Sequence, residues 1–192
     1  MRGNHERMSK IKLTFLSLVV LLAVARTAFA HEFPEEWFYD ATPEKRAAHA
    51  ALEGKAMPSL AGLSEWKNAT LQAKDLKGKV LVVDFYATWC GPCMAAVPHN
   101  TELIKEYGSK GLLLLGVCTS SRGQEMFAAN AKQYGMIYPI ARDATLKVAK
   151  AWAVQSYPTY AVVDRKGIVR AVGLRPSHVE DVVKKLLEEP AS

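Results

Sequence analysis

Cysteine is scarce in this sequence, with three in 192 residues, and no internal repeat or low-complexity tract occurs. The sequence contains no glycine-rich phosphate loop, and its spacing suggests no Ser/His/Asp arrangement. These absences exclude a phosphate-loop nucleotide site and give no support to serine hydrolase chemistry. Hydrophobic residues make up 49% of the chain and charged residues 23%, which is typical of one globular domain with a proper core.

A transmembrane-length hydrophobic run is also missing. The apolar run at residues 13–25 is shorter than the roughly 20 residues that span a bilayer. Basic residues precede it and Ala28-Phe29-Ala30 follows, which is the layout of a secretory signal peptide. We therefore predict a signal peptide over residues 1–30 and export to the periplasm, with no stable membrane span after cleavage. An uncleaved anchor, which would hold the protein at the extracytoplasmic face of the membrane, is the alternative.

The net charge of +6 says little about partners. The predicted signal region holds five of the 25 Lys and Arg residues and one of the 19 Asp and Glu residues. The mature chain therefore carries 20 basic against 18 acidic residues, without the clustered basic face that nucleic-acid binding requires. We expect no nucleic-acid partner.

Residues 31–56 are predicted to form an N-terminal extension, with Thr42 capping a short helix, and residues 57–192 the main domain. In the main domain strands alternate with helices, and a hairpin and a last helix, capped by Ser177, follow. This order predicts an α/β fold with a central mixed sheet flanked by helices on both faces. The predicted strands are Val80–Tyr86, Leu112–Cys118, Tyr138–Ala141, Tyr160–Asp164 and Ile168–Val172, and the predicted helices are Lys45–Leu52, Cys93–Tyr107 (interrupted or kinked at Pro98), Gln124–Tyr134, Ala144–Trp152 and His178–Glu188.

The most informative motif is Trp89-Cys90-Gly91-Pro92-Cys93, which follows the predicted strand Val80–Tyr86 and opens a helix. Two thiols separated by two residues at a helix start can close a small disulfide ring. The partial positive charge of a helix N-terminus stabilises a thiolate at the first cysteine. The motif therefore predicts reversible thiol–disulfide exchange.

Around this motif the chain resembles the thioredoxin superfamily, and within it the TlpA/ResA-like exported thiol–disulfide oxidoreductases. The resemblance rests on residues 89–93, on the preceding Asp84-Phe85-Tyr86-Ala87, on Pro98 and on Ser156-Tyr157-Pro158-Thr159. It implies a thioredoxin fold in which the segment around Gln124–Trp152 is the strand–helix insertion of the TlpA/ResA group. It covers about residues 57–187.

The positions of the two cysteines predict their roles. Cys90, first at the helix start, is expected to be exposed, of lowered pKa, and the attacking nucleophile. Cys93, one turn later, is expected to be the buried resolving thiol. By the resemblance, Gly91 and Pro92 form the motif that favours the dithiol state, and Trp89 shields the site and contacts the substrate. An ordinary core tryptophan is the alternative for Trp89.

The resemblance also assigns the cis-proline of the superfamily to Pro158. A cis bond there would expose the backbone of Tyr157 for a short β-type pairing with a substrate strand. Tyr157 itself would lie beside the sulfurs. The alternative is a trans proline at the start of a strand.

Asp84 is predicted to be the acid of the site. A carboxylate in an apolar strand should have a raised pKa, which suits a general base near neutrality. TlpA/ResA-like proteins more often carry their acid three residues beyond the second cysteine, where this chain has Ala96. We therefore expect Asp84 to relay the proton of Cys93, as the matching aspartate does in thioredoxin. The alternative is a structural bond to Lys79 or Lys105.

Cys118 is left over at the end of a predicted strand beside the motif. Lone cysteines at strand ends are mostly buried small hydrophobes, and a third redox thiol is the alternative.

Together these features predict an exported enzyme that reduces disulfides in client proteins, such as apocytochrome c or copper-site thiols. The expected partners are oxidised clients and a membrane thiol reductant of the DsbD/CcdA type, which the resemblance implies. No cofactor and no metal are expected beyond the redox-active disulfide Cys90–Cys93. The alternatives are a disulfide oxidant or isomerase, which Gly91-Pro92 disfavours, a peroxidase, and a Cu(I)-binding metal-delivery protein.

Overall fold

The computed structural model describes residues 32–39 and 42–190. The predicted signal peptide, residues 1–30, lies outside the described residues. In the described part the strands are β1 (Ser64–Lys67), β2 (Val80–Tyr86), β3 (Leu112–Cys118), β4 (Ile140–Arg142), β5 (Thr159–Val163) and β6 (Val169–Leu174). The α-helices are α1 (Pro43–Ala50), α2 (Ala73–Leu76), α3 (Gly91–Tyr107), α4 (Phe127–Gln133), α5 (Lys147–Ala151) and α6 (Pro176–Glu188). Short 3₁₀ turns occupy Glu35–Trp37, Gly108–Lys110 and Gln124–Met126.

The strands form one mixed sheet in the order β1-β4-β3-β2-β5-β6. Strand β2 pairs parallel with β3, and β3 with β4, whereas β5 is antiparallel to both β2 and β6. The register places Asp84 of β2 between Gly116 of β3 and Tyr160 of β5. The predicted mixed α/β sheet is confirmed, and β4 with its flanking helices lies in the segment predicted as the insertion.

Strand β2 is buried at all seven positions because helices cover both faces of the sheet. Its alternate residues enter two different cores. Val82 and Tyr86 join the apolar cluster that contains both motif cysteines, whereas Leu81, Val83 and Phe85 join the cluster around Trp152. A strand buried on both faces reads as a continuous apolar run, which explains why its bounds were predictable. By the same alternation, the side chain of Asp84 lies on the cysteine side.

Helix α3 begins at Gly91, two residues before the predicted start, because Cys90 takes the N-cap position. The helix continues through Pro98 to Tyr107, so of the predicted interruption or kink at Pro98 the interruption is absent. Helix α6 begins at Pro176, and the predicted cap Ser177 therefore lies inside its first turn. Proline suits the first helical position because its missing N–H would have no partner there anyway.

The insertion contains less regular structure than its sequence predicts. The predicted helix Gln124–Tyr134 is a 3₁₀ turn followed by α4, and the predicted helix Ala144–Trp152 contains only the five residues of α5. Leu146, with φ of 57°, occupies the left-handed region just before α5, which prevents an earlier start. Strand β1 and helix α2 were not predicted, since each has only four residues.

The N-terminal extension packs against β6, the strand at one edge of the sheet. Phe38 is buried and forms a bridge with Leu174 of β6, and the amide of Tyr39 donates to the carbonyl of Gly173 at 3.0 Å. Gly173 has φ of +89°, and a Cβ there would lie 2.5 Å from Nδ1 of His49 in α1. Only glycine therefore lets α1 approach β6 so closely. Within the described part of the chain, no helix is long and apolar enough to span a membrane.

Candidate active site

The redox pair lies where β2 ends and α3 begins. Cys90 is the N-cap residue of α3 and forms a disulfide with Cys93, with a Cα–Cα distance of 5.3 Å. The amide N–H of Cys93 donates to Sγ of Cys90 at 3.2 Å. Gly91 and Pro92 are the first two helical residues, so the proline stands where a backbone N–H has no helical partner. The structure thus brings together the two cysteines that the motif predicts.

Both cysteines are buried in this disulfide form. Cys90 is 5% exposed and Cys93 is 0% exposed, so the prediction of an exposed Cys90 is wrong for the oxidised state. The physical reason is the bond itself, which turns the sulfur of Cys90 toward the fully buried Cys93. What exposure the pair retains belongs to Cys90, in agreement with the predicted order of attack.

Tyr157 and Pro158 directly precede β5, and Tyr157 contacts Trp89, the residue before Cys90. The Tyr157–Pro158 peptide bond is cis, as predicted, and Thr159 pairs with Phe85 near the end of β2. The Tyr157 hydroxyl donates to the carbonyl oxygen of Thr119. The ring of Trp89 meets the ring of Tyr157 edge-on, with 5.8 Å between the centroids. Trp89 is 50% exposed, so it is not the core tryptophan that was the alternative interpretation.

A loop that the sequence analysis did not single out holds the segment before the redox pair. This loop, residues 119–123, follows the carboxyl end of β3. The Thr88 hydroxyl donates to the carbonyl oxygen of Gly123 at 2.7 Å, and the Asn130 amide donates to the Thr88 carbonyl at 3.2 Å. A Cβ at Gly123, where φ is +73°, would lie 2.7 Å from Oγ1 of Thr88. The sequence offered one indication of this loop, because sites form at the carboxyl ends of neighbouring parallel strands. That rule was used only for Cys118, the last residue of β3.

Asp84 belongs to a buried polar network that joins β2 to helix α3, the helix that begins at the redox pair. Its Oδ2 accepts a hydrogen bond from the Asn100 side-chain amide of α3 at 2.9 Å. The Tyr160 hydroxyl donates to Oδ1 of Asn100 at 3.1 Å, and the same Asn100 amide lies 3.4 Å from the Tyr138 hydroxyl. Oδ1 of Asp84 has no hydrogen-bond partner among the residues that the structure describes.

Burial raises the pKa of Asp84 from 3.8 to about 7, although the neighbouring Tyr160 and Asn100 side chains oppose the rise. The alternative interpretation, a bond to a lysine, is wrong, because the carboxyl bonds to Asn100 and Lys105 pairs with Glu102 on the helix surface. Asn100 follows Cys93 by seven residues, about two helical turns, and therefore faces the same side of α3. The carboxyl thus contacts the helix face that carries Cys93.

Cys118 lies opposite Tyr86 in the register of β2 and β3 and is fully buried as a free thiol. Burial raises the pKa of Cys118 to about 12. The structure therefore agrees with a buried small side chain and offers nothing for a third redox thiol.

We expect Cys118 to resist alkylation in the folded, oxidised protein, since only about one thiol in 10⁴ is ionised at pH 8 when the pKa is near 12. The measurement is the mass of N-ethylmaleimide adducts at pH 8, with and without guanidinium chloride. One adduct should form in denaturant and none in native buffer. Complete labelling in native buffer would show that Cys118 is accessible.

A disulfide that caps a helix, beside a cis-proline strand in a six-stranded mixed sheet, defines a thiol–disulfide oxidoreductase of the thioredoxin fold. The chain belongs to the Redoxin family, whose profile matches residues 52–187.

Known proteins support this class. The thioredoxin-like protein YneN of Bacillus subtilis is 31% identical over 140 residues, which cover 71% of this chain and 77% of YneN. The thiol-disulfide oxidoreductase ResA of Geobacillus kaustophilus is 26% identical over 175 residues, which cover 90% of this chain and 91% of ResA. A solved thiol:disulfide interchange protein of the thioredoxin family from Chlorobium tepidum is 26% identical with a TM-score of 0.59, and the match covers 70% of this chain and 99% of that one. The chain is therefore a TlpA/ResA-like member of the thioredoxin superfamily.

Proposed function

We propose that this protein reduces disulfide bonds in exported client proteins, with Cys90 and Cys93 as its redox pair. The observation that carries the proposal is the position of this pair, with Cys90 at the N-cap of the 17-residue helix α3 and Cys93 one turn inside it. The unpaired N–H groups of a helix start stabilise negative charge. The dithiol form would therefore present Cys90 as a thiolate near neutral pH.

The reaction needs two exchange steps. The Cys90 thiolate attacks one sulfur of the client disulfide, which forms a mixed disulfide and releases the other client sulfur as a thiolate. The Cys93 thiolate then attacks Sγ of Cys90, which closes the Cys90–Cys93 disulfide and releases the second client thiolate. Two electrons pass from the protein to the client, and the two client thiolates take up protons.

Asp84 supplies the proton acceptor in this scheme. The Cys93 thiol must lose its proton before it can attack, and its surroundings are fully buried. A carboxyl with a pKa of about 7 on the same side of the sheet is half ionised at neutral pH, which suits a general base. In this chain Ala96 replaces the acid that TlpA/ResA-like proteins more often carry on the helix, so Asp84 takes over that role.

Trp89, Tyr157 and Pro158 form the client-binding surface. Trp89 offers half of its side-chain surface next to Cys90, and its ring packs edge-on against Tyr157. A client segment would pair with the backbone beside Pro158 as a short added strand, which brings its disulfide to Cys90. Gly91 and Pro92 complete the motif and favour the dithiol state.

The N-terminal sequence supports export to the periplasm, with residues 1–30 as the signal peptide, residues 31–56 as an extension and residues 57–192 as the thioredoxin-like domain. An oxidising compartment drives the pair toward the disulfide, so a membrane donor of the DsbD/CcdA type would restore the dithiol. The clients would be exported proteins whose cysteines must stay reduced, such as apocytochrome c or proteins with copper-site thiols.

The midpoint potential of the Cys90–Cys93 pair tests the proposed direction of electron flow. We expect a value of about −270 mV, as in thioredoxin, because the chain resembles thioredoxin at Gly91-Pro92. A stable disulfide after the reaction is what a reductant requires. The measurement is equilibration against a thiol–disulfide buffer, with Cys118→Ser as the matched control that leaves the pair intact. A value near about −120 mV, the range of strong oxidants, would reverse the direction.

A further inference from the structure

Arg122 is an exposed residue of the loop 119–123. Its guanidinium carbon lies 4.6 Å from the centroid of the Trp89 ring. Trp89 in turn contacts the Tyr157 ring, 5.8 Å away. We call these three side chains the Trp89 platform. Trp89 directly precedes Cys90, and Tyr157 forms the cis peptide bond with Pro158. A client strand that pairs beside Pro158 and presents its disulfide to Cys90 would therefore lie next to the platform.

The position of Arg122 is fixed by the backbone around it. The carbonyl oxygen of Gly123 accepts a hydrogen bond from the Thr88 hydroxyl, and the carbonyl oxygen of Arg122 accepts one from the Ser120 hydroxyl. Gly123 lacks the Cβ that would lie 3.2 Å from Cδ1 of Trp89. The loop can therefore bring Arg122 over the tryptophan ring and hold it there.

Arg122 carries a positive charge that no carboxylate of the described residues pairs with. Among residues 32–39 and 42–190, no carboxylate forms an ion pair with its guanidinium, whereas Arg46, Arg142 and Arg170 all have carboxylate partners. Glu125 lines the same small polar cavity of about 440 Å³ beside Arg122, without an ion pair to it. The contact with the Trp89 ring does not use the N–H groups in an ion pair, so the guanidinium can still bind a carboxylate with two hydrogen bonds.

We infer that Arg122 selects clients that carry an aspartate or glutamate close to the disulfide to be reduced. This inference rests on the proposed function and adds a substrate class to it. The acidic residue would lie within about three residues of the client cysteine, since an extended strand advances about 10 Å over that distance. Its carboxylate binds the Arg122 guanidinium while the neighbouring backbone pairs beside Pro158. Arg122 is thus a specificity residue, and Cys90 and Cys93 perform the exchange.

The test compares reduction of three disulfide peptides that differ only in the residues flanking the cysteine, which are Glu, Gln or Lys. The reduced protein is mixed with each peptide at low salt, and the second-order rate constant is measured from the release of peptide thiol. We expect the ratio of the Glu to the Lys rate constant to be about three- to tenfold higher for the wild type than for Arg122→Gln. Arg122→Glu should invert the preference, and Arg122→Lys should keep only part of it, because lysine retains the charge and lacks the two-bond fork.

Lys166→Gln is the matched control, because it removes one positive charge from the β5–β6 turn at the opposite end of the sheet and should keep the wild-type ratio. Sodium chloride at 0.5 M should bring the wild-type ratio close to that of Arg122→Gln, because salt screens an exposed pair. An equal ratio in wild type and Arg122→Gln, or an equal loss in Lys166→Gln, would overturn the inference while leaving the proposed function intact. If the wild-type protein reduced all three peptides no faster than the uncatalysed reaction, both the inference on Arg122 and the proposed function would be overturned.

Discussion

Cys90→Ser is expected to abolish disulfide reduction, with a loss on the order of 10³-fold or more, because no other sulfur of the chain can form the mixed disulfide. Cys93 is fully buried one turn inside α3, and Cys118 is a buried thiol with a pKa of about 12. The measurement is the rate of thiol release from a peptide disulfide in the presence of a regenerating dithiol.

Cys93→Ser should behave differently from Cys90→Ser. Its Cys90 can still attack once, and the mixed disulfide then accumulates because no resolving thiol follows. Intact-mass spectrometry should show the protein carrying one client, and Cys118→Ser should retain wild-type turnover as the matched control. If Cys93→Ser turned over at the wild-type rate, the assigned order of attack would be wrong.

Asp84→Asn is expected to slow the resolution of the mixed disulfide by about 10²-fold or more, the usual range for loss of a general base. In the wild type this step should accelerate as the pH rises through about 7, where the Asp84 carboxyl loses its proton. The variant should lack that acceleration. The measurement is the decay of a preformed mixed disulfide between pH 5 and 9, and a wild-type pH profile in Asp84→Asn would contradict the proposed role.

The same substitution should make the free energy of unfolding less dependent on pH than it is in the wild type. The pKa of Asp84 is about 7 when folded and near 3.8 when the chain is unfolded, so the folded state holds the proton more tightly between these values. The wild type therefore loses stability as the pH rises from about 4 to about 7, by about 4 kcal/mol in total. Asp84→Asn does not titrate and lacks this loss.

Denaturant unfolding of the oxidised wild type and Asp84→Asn at pH 4, 6 and 8 measures this difference. Any fixed cost of the amide, such as a buried N–H without a partner, shifts the variant equally at every pH. The change of the difference with pH is therefore the quantity to compare. A constant difference from pH 4 to pH 8 would show that Asp84 titrates alike in the folded and unfolded chains.

The central strands could be predicted to the residue because burial on both faces leaves a continuous apolar run. Val80–Tyr86 and Leu112–Cys118 both match the structure. Ser64–Lys67 could not be predicted, since a four-residue edge strand alternates half-buried with exposed residues and pairs with a segment far along the chain. The start of α6 was missed because Ser177 was expected to cap a helix that begins at His178. In the structure Pro176 takes the first helical position.

For the site, local motifs located the two cysteines and the cis-proline, because each is written in a few consecutive residues. The partners of Asp84 required the fold. Asn100 and Tyr160 come from a helix and a strand whose register against β2 the sequence does not specify. The contact of Arg122 with Trp89 also required the fold. The two residues are 33 positions apart, and the loop that carries Arg122 has no recognisable sequence motif.

Thr88, the residue just before the redox motif, is held on its side chain by Gly123 and on its backbone by Asn130. Both partners belong to the segment of residues 123–152, which consists of the predicted insertion and the glycine directly before it. Trimming that segment to reach a smaller scaffold would remove two supports of the catalytic motif together. We therefore expect chimeras between relatives to stay active only when this segment and the motif are exchanged together.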